Sequence, residues 1–152
     1  MSRGLLLAVF DFSNAARDEF HDWYDLEHIP ERRSLAGFDN CERWISVEKP
    51  DVSVASYDLE THDVIRGDAY KAIAYENLSV WSKRIAGICD IQLRFEGTQI
   101  TPGNEPAPMD AGALLLNAMN VEEEAEAERM KRVNLGVGIG LASAEDEFMC
   151  AL

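Results

Sequence analysis

The run Glu19-Phe-His-Asp-Trp-Tyr-Asp-Leu-Glu-His-Ile-Pro30 gathers two histidines, four carboxylates and all three aromatic residue types into little more than three helical turns. A repeat of about 3.6 residues puts Phe20, Tyr24 and His28 on one helix face, with Trp23 and Glu27 beside them. That face is both apolar and titratable. An ordinary imidazole titrates near neutral pH, so His28 is the candidate general base or acid. The competing reading is that it braces the turn before Pro30 by bonding a backbone carbonyl. Tyr24, one turn earlier, can donate a hydrogen bond to a ligand carbonyl or a developing enolate, or bury its ring with the hydroxyl at the rim. Phe20, Trp23 and Glu27 complete a candidate substrate-binding set. Against it, the two rings have the spacing of core residues, and Glu27 with Asp25 has the makeup of a solvated face.

His21, Asp25 and His28 fall at i, i+4 and i+7, a spacing that can offer a metal two imidazoles and a carboxylate. A packed helix explains the same residues, so no metal is expected. His62, in Thr61-His-Asp63, is read as exposed. Arg32 and Arg33 can hold a carboxylate-bearing substrate or pair with the chain's own acids. No phosphate-binding loop, dinucleotide fingerprint, nucleophile elbow or zinc spacing is present, and no cofactor is expected.

The elements that must position these groups are legible from periodicity. Leu5 to Phe12 is apolar on both alternating faces, the pattern of a strand covered on both sides. Ser13 or Asn14 is placed to cap the following helix, and Pro30 predicts that the helix ends or kinks near His28, with Gly37 completing the turn. Phe38 to Val47 and Val52 to Glu60 read as an antiparallel pair around the turn Glu48-Lys-Pro-Asp51. A second helix is predicted from Gly67-Asp68 to Gly87, with Tyr70, Ile73, Leu78, Trp81 and Ile85 inward. Cys89, Ile91, Leu93 and Phe95 then alternate with polar residues as a one-sided strand.

The resulting fold class is α+β, a ferredoxin-like βαββαβ antiparallel sheet with its helices on one face. Because the first strand is apolar on both sides, the second face is expected to close against another sheet, from a second copy or a second repeat. Residues 1–100 form this unit, 101–110 a Pro- and Gly-rich linker, and 111–152 a partial second repeat and tail. The repeat rests on Leu114 to Val121 matching Leu5 to Phe12, with Ala16 and Glu19 recurring as Ala125 and Glu128. The motif itself does not recur: Arg129, Met130, Arg132 and Val133 stand where Phe20, His21, Trp23 and Tyr24 would be. Glu122 to Glu128 reads as a solvated helix start, and a further strand is expected around Val137 to Leu141.

Phe20-x-x-Trp23-Tyr24-Asp25-x-Glu27-His28-Ile29-Pro30, followed by Leu35-Ala-Gly-Phe38 and strand-strand-helix-strand, resembles the dimeric α/β-barrel superfamily, particularly its EthD-like members, over about residues 3–100. The resemblance implies a barrel closed by dimerisation or duplication and a small apolar or aromatic ligand held between sheet and helices. The superfamily includes cofactor-free monooxygenases, lactone isomerases, polyketide cyclases and haem-using branches.

Composition bounds the partners. The 152 residues are 47% hydrophobic, enough for a core. A net charge of -14 argues against a nucleic-acid backbone or an anionic membrane. Three widely spaced cysteines, Cys41, Cys89 and Cys150, fit a reduced, cytoplasmic protein. The apolar run Leu5 to Phe10 is too short for a secretory signal. The expectation is therefore a cytoplasmic homodimer acting without cofactor on a small apolar or aromatic carbonyl compound, by isomerase-, cyclase- or monooxygenase-type proton transfer. The alternative is a non-catalytic ligand-binding or assembly module.

Overall fold

The computed structural model describes residues 2–101, 106–108, 110–120, 140–143 and 148–151. Strand β1 (Gly4–Asp11) takes the centre because both its faces are apolar. Leu6 and Phe10 belong to the core under the helices, and Leu5 and Leu7 to a cluster on the opposite face. Strand β2 (Phe38–Ile45) pairs with β3 (Val52–Leu59), β3 with β1, and β1 with β4 (Asp90–Thr101), all antiparallel. The chain is thus α+β, with a four-stranded antiparallel sheet at its heart.

Beyond β4 the same ladder continues. Strands β5 (Asn117–Asn120), β6 (Gly140–Ser143) and β7 (Phe148–Ala151) extend it in the order β2-β3-β1-β4-β6-β7-β5. Of the described residues in the segment matching β1, Asn117–Asn120 form a strand, at the outer edge. Of the strand expected around Val137 to Leu141, residues 140 and 141 belong to β6, which pairs with β7, and residues 137–139 lie outside the described residues. The acidic run Glu122 to Glu128 lies outside the described residues. Among the described residues no pairing joins β2 to β5. The second sheet face is crossed instead by the chain's own irregular segment: Ala107 N–H donates to Asp58 Oδ2 at 3.0 Å, and Leu116 packs on Leu5, Leu7 and Phe95.

The first helix departs from expectation at both ends. Its first segment α1 (Arg17–Asp22) begins after Ala16, which offers no side-chain cap, while the Ser13 N–H donates to Asp11 Oδ1 at 2.9 Å in a local turn. Neither Ser13 nor Asn14 caps the helix. Nor does the helix stop at His28: α1 runs into a π-helical turn, Trp23–His28, and then into α2 (Ile29–Arg33). The Ile29 N–H reaches back to the Tyr24 carbonyl, one residue further than in an α-helix. This widened turn accommodates the Pro30 ring, whose missing N–H falls in the first turn of α2 where it costs little. The widening also brings Trp23 and His28, five residues apart, to a ring separation of 4.6 Å.

The second predicted helix is broken. It consists of α3 (Asp68–Lys71), a 3-10 turn at Tyr75–Asn77 and α4 (Val80–Ile88). Tyr75 sits at φ 55, a left-handed conformation through which an α-helix cannot continue, and the Asn77 side-chain amide donates to the Lys71 carbonyl at 2.8 Å across the break. Ser79 caps α4 by accepting from Ser82 N–H, and Gly87 lies inside α4 rather than ending it.

Strand β4 also breaks its alternation. Val9 faces Leu93 but Phe10 faces Ile91, so a bulge at Gln92 turns Ile91 onto the helix side, away from Leu93 and Phe95. The helix-side core packs Phe20, Trp23, Tyr24 and Ile29 against Phe10, Tyr57 and Leu59. Each such buried side chain stabilises the fold by about 1.5–3 kcal/mol. Gly37, at φ +85, makes the turn into β2, and a Cβ there would meet Val64 Cγ2 at 2.6 Å.

Candidate functional site

Between the π-helical turn and the sheet lies a cavity of about 180 Å³. Ala8 and Phe10 of β1 form its floor, Trp23 and His28 one wall, Tyr57 of β3 and Arg32 of α2 another. The broken second helix supplies Tyr70 and Tyr75, and β4 supplies Ile91 and Arg94. Tyr75 and Ile91 are exposed and mark the rim. Local backbone departures build three sides: the π turn aims His28, the left-handed Tyr75 opens the helix layer, and the β4 bulge presents Ile91.

His28 retains some accessible ring surface but lies deep enough that burial dominates its titration. Burial first, and then the positive charge of Arg32, hold its pKa down at about 3. It is a neutral imidazole at pH 7, and its buried Nδ1 has no hydrogen-bond partner among the described residues. Tyr57 is its neighbour across the cavity, with ring centroids 6.4 Å apart. Burial keeps the Tyr57 hydroxyl protonated far above neutral pH, and it too lacks a partner among the described residues.

The sequence motif is therefore split. Trp23 and His28 line the cavity, whereas Tyr24, Phe20 and Glu27 are not part of its wall. Tyr24 is fully buried among Phe10, Phe20, Trp23 and His28, with the Arg43 guanidinium over its ring at 5.2 Å. Burial raises its pKa; Tyr57 lies near enough to pull it back a little, but the two hydroxyls fall short of hydrogen-bond geometry. Phe20 stacks on Phe12 at 4.1 Å in the core. Glu27 is a bracket: its Oε1 accepts from the Ser79 hydroxyl and from Ser82 Oγ at 3.1 Å, and Ser82 Oγ accepts from Trp23 Nε1 at 2.9 Å. This chain fastens the π turn to the N-terminus of α4, where a negative charge is favoured.

The remaining candidates sort themselves by contact. His21 Nδ1 lies 2.8 Å from Arg43 Nη2, and no group of three or more metal-ligating side chains occurs among the described residues. His62 is not simply exposed; it opens a 3-10 turn (His62–Arg66), and its Nε2 is buried without a partner among the described residues. Arg33 donates to the Cys41 carbonyl at 2.8 Å and so ties α2 to β2. Burial pushes the free thiols of Cys41 and Cys89 up to about 11, which favours the protonated form near neutral pH.

Sequence reasoning missed Tyr57, Arg32 as a buried cavity residue, and Tyr70 and Tyr75 as cavity aromatics. Tyr57 carried a faint signal, since it alternates with Ala55 and Leu59 on the inward face of β3. Together the site offers a neutral imidazole, a protonated phenol and a guanidinium around an apolar space. Such a set can polarise a carbonyl and exchange a proton with it. Compared with known proteins, the chain matches no family model and no curated protein.

Proposed function

We propose that the protein is a cofactor-free enzyme that binds a small aromatic or apolar carbonyl compound in this cavity and moves a proton on it. The observation that carries the reading is one apolar cavity on which His28, Tyr57 and Arg32 converge, buried and with few partners of their own. An apolar cavity of about 150 Å³ holds benzene, so this one suits a single ring bearing a carbonyl. Tyr57, in place of Tyr24, donates to the carbonyl oxygen. His28 takes a proton from the adjacent carbon as negative charge builds on that oxygen, and returns it to a second carbon. The free imidazole is a weak base, but the anion forming beside it raises its proton affinity and offsets the charge of Arg32.

A second reading, the non-catalytic binding module, draws support from the low pKa of His28. Deuterium uptake next to the carbonyl of phenylacetone in heavy water separates the two. The enzyme reading expects exchange to be accelerated by the protein and to fall about 10²-fold or more in His28→Gln, with a smaller loss in Tyr57→Phe. Binding without exchange would leave the module.

We further assign the four-stranded unit to the ferredoxin-like topology and to an EthD-like dimeric α/β barrel, closed in a cytoplasmic homodimer. The strand order β2-β3-β1-β4 supports the ferredoxin-like part of this assignment. A monomer by light scattering at micromolar concentration would count against it.

A further inference from the structure

We propose that the ligand of this cavity carries a carboxylate and that Arg32 receives it. The inference rests on the cavity being a ligand site, as proposed above, and adds the ligand's charge. Arg32 is the only buried charged side chain among the described residues, at 3% exposure. A guanidinium has five N–H donors. Here Nη1 donates to the Ile73 carbonyl at 3.3 Å and forms an ion pair with Glu31 Oε2 at 3.7 Å, too long for a hydrogen bond. The face of Tyr70 lies 5.3 Å away and adds a cation–π contact. A buried cation with one long bond to a neutral oxygen and one loose ion pair to a part-exposed acid keeps donors to spare for a ligand. A planar carboxylate in the cavity would supply two parallel acceptors to the free fork.

The surroundings narrow the ligand further. Arg94, beyond Tyr70, is already engaged by Glu96 and by the Tyr70 hydroxyl at 3.2 Å. One guanidinium, already loosely paired with Glu31, suits a monoanion better than a phosphate dianion. The remaining wall is largely aromatic and aliphatic, and its volume fits one ring plus a carboxylate. The protein's net charge of -14 repels any anion at long range, so selectivity must arise from this local contact.

Calorimetric titration of the full chain at pH 7 with benzoate and with benzyl alcohol tests the proposal, since the two share a ring and differ in charge. Benzoate should bind roughly ten- to a hundredfold more tightly, the range for hydrogen bonds to a charged group. Arg32→Gln should abolish that preference while keeping benzyl alcohol binding, and Arg84→Gln, an exposed arginine outside the cavity wall, should change benzoate affinity by less than about threefold. If Arg32→Gln fails to fold, Arg32→Lys should weaken benzoate alone, because it keeps the charge and loses the fork. Equal affinities for the two probes, or a benzoate preference that survives loss of the fork, would overturn the carboxylate assignment and leave the cavity reading standing. Binding of neither probe would overturn both.

Discussion

Acid should destabilise this protein through His28 before its carboxylates are protonated. Burial, assisted by Arg32, holds the imidazole at about 3 in the folded chain against an ordinary 6.5. Unfolding returns it to the ordinary value, so between those pH values the unfolded chain binds a proton that the folded chain refuses. The contribution is therefore complete above pH 6.5 and is lost progressively as pH falls towards 3. At 1.36 kcal/mol per unit, the loss between pH 7.5 and 5 comes to about 2 kcal/mol. A domain of this size is stable by only about 5–15 kcal/mol, so the effect is readily measured. Urea unfolding followed by circular dichroism at pH 7.5, 6 and 5 should show wild type losing about 2 kcal/mol more than His28→Gln. His21, whose pKa is also lowered, first by burial and then by Arg43, is present in both proteins and cancels. Parallel losses in the two proteins would refute the claim that His28 is held neutral in the interior.

Two further outcomes follow from the packing. Glu27→Ala removes the acceptor shared by Ser79 and Ser82, and should cost about 2 kcal/mol in thermal or urea unfolding while leaving ring-ligand affinity within about twofold. A large affinity loss would return Glu27 to the binding set. Gly37→Ala meets both an adverse φ and the Val64 side chain, and should lower stability by about 1–3 kcal/mol; an unchanged Tm would show that the turn can relax.

How much of this was legible before the structure depended on the range of the forces involved. The central place of β1, the β2-β3 pair and the helix carrying the motif all follow from local periodicity, and each is present. The ring contacts of Phe20, Tyr24 and His28 are also as the spacing predicts, at 5.1 and 5.3 Å. Choosing which of those rings meets the cavity was beyond periodicity, because the π turn at Trp23–His28 rotates the helix between them. Pro30 signalled a disturbance there, but a break and a widening look alike in sequence. Tyr75 is similar: an ordinary residue in a helical pattern, left-handed only because residues 71–79 must close against each other. Arg32 reads as a substrate-holding or acid-paired charge, but its burial depends on Tyr70 and Ile73, about forty residues later, being folded over it. Glu27 reads as solvated for the same reason, since its partners Ser79 and Ser82 arrive from α4. The second sheet face was expected to close against another sheet, and periodicity could not reveal that an irregular segment around Leu116 packs on it.

The central claim is that the space between the π turn and the sheet binds a small ring compound. Titration of isotope-labelled protein with benzaldehyde, followed by indole and imidazole NMR signals, tests it most directly. Trp23 and His28 border the cavity, whereas the Trp44 indole donates to Ser56 Oγ at 3.0 Å outside it. The account predicts saturable shifts of the Trp23 indole and His28 ring signals with Trp44 unmoved. Unmoved Trp23 and His28 signals, or shifts confined to Trp44, would contradict it.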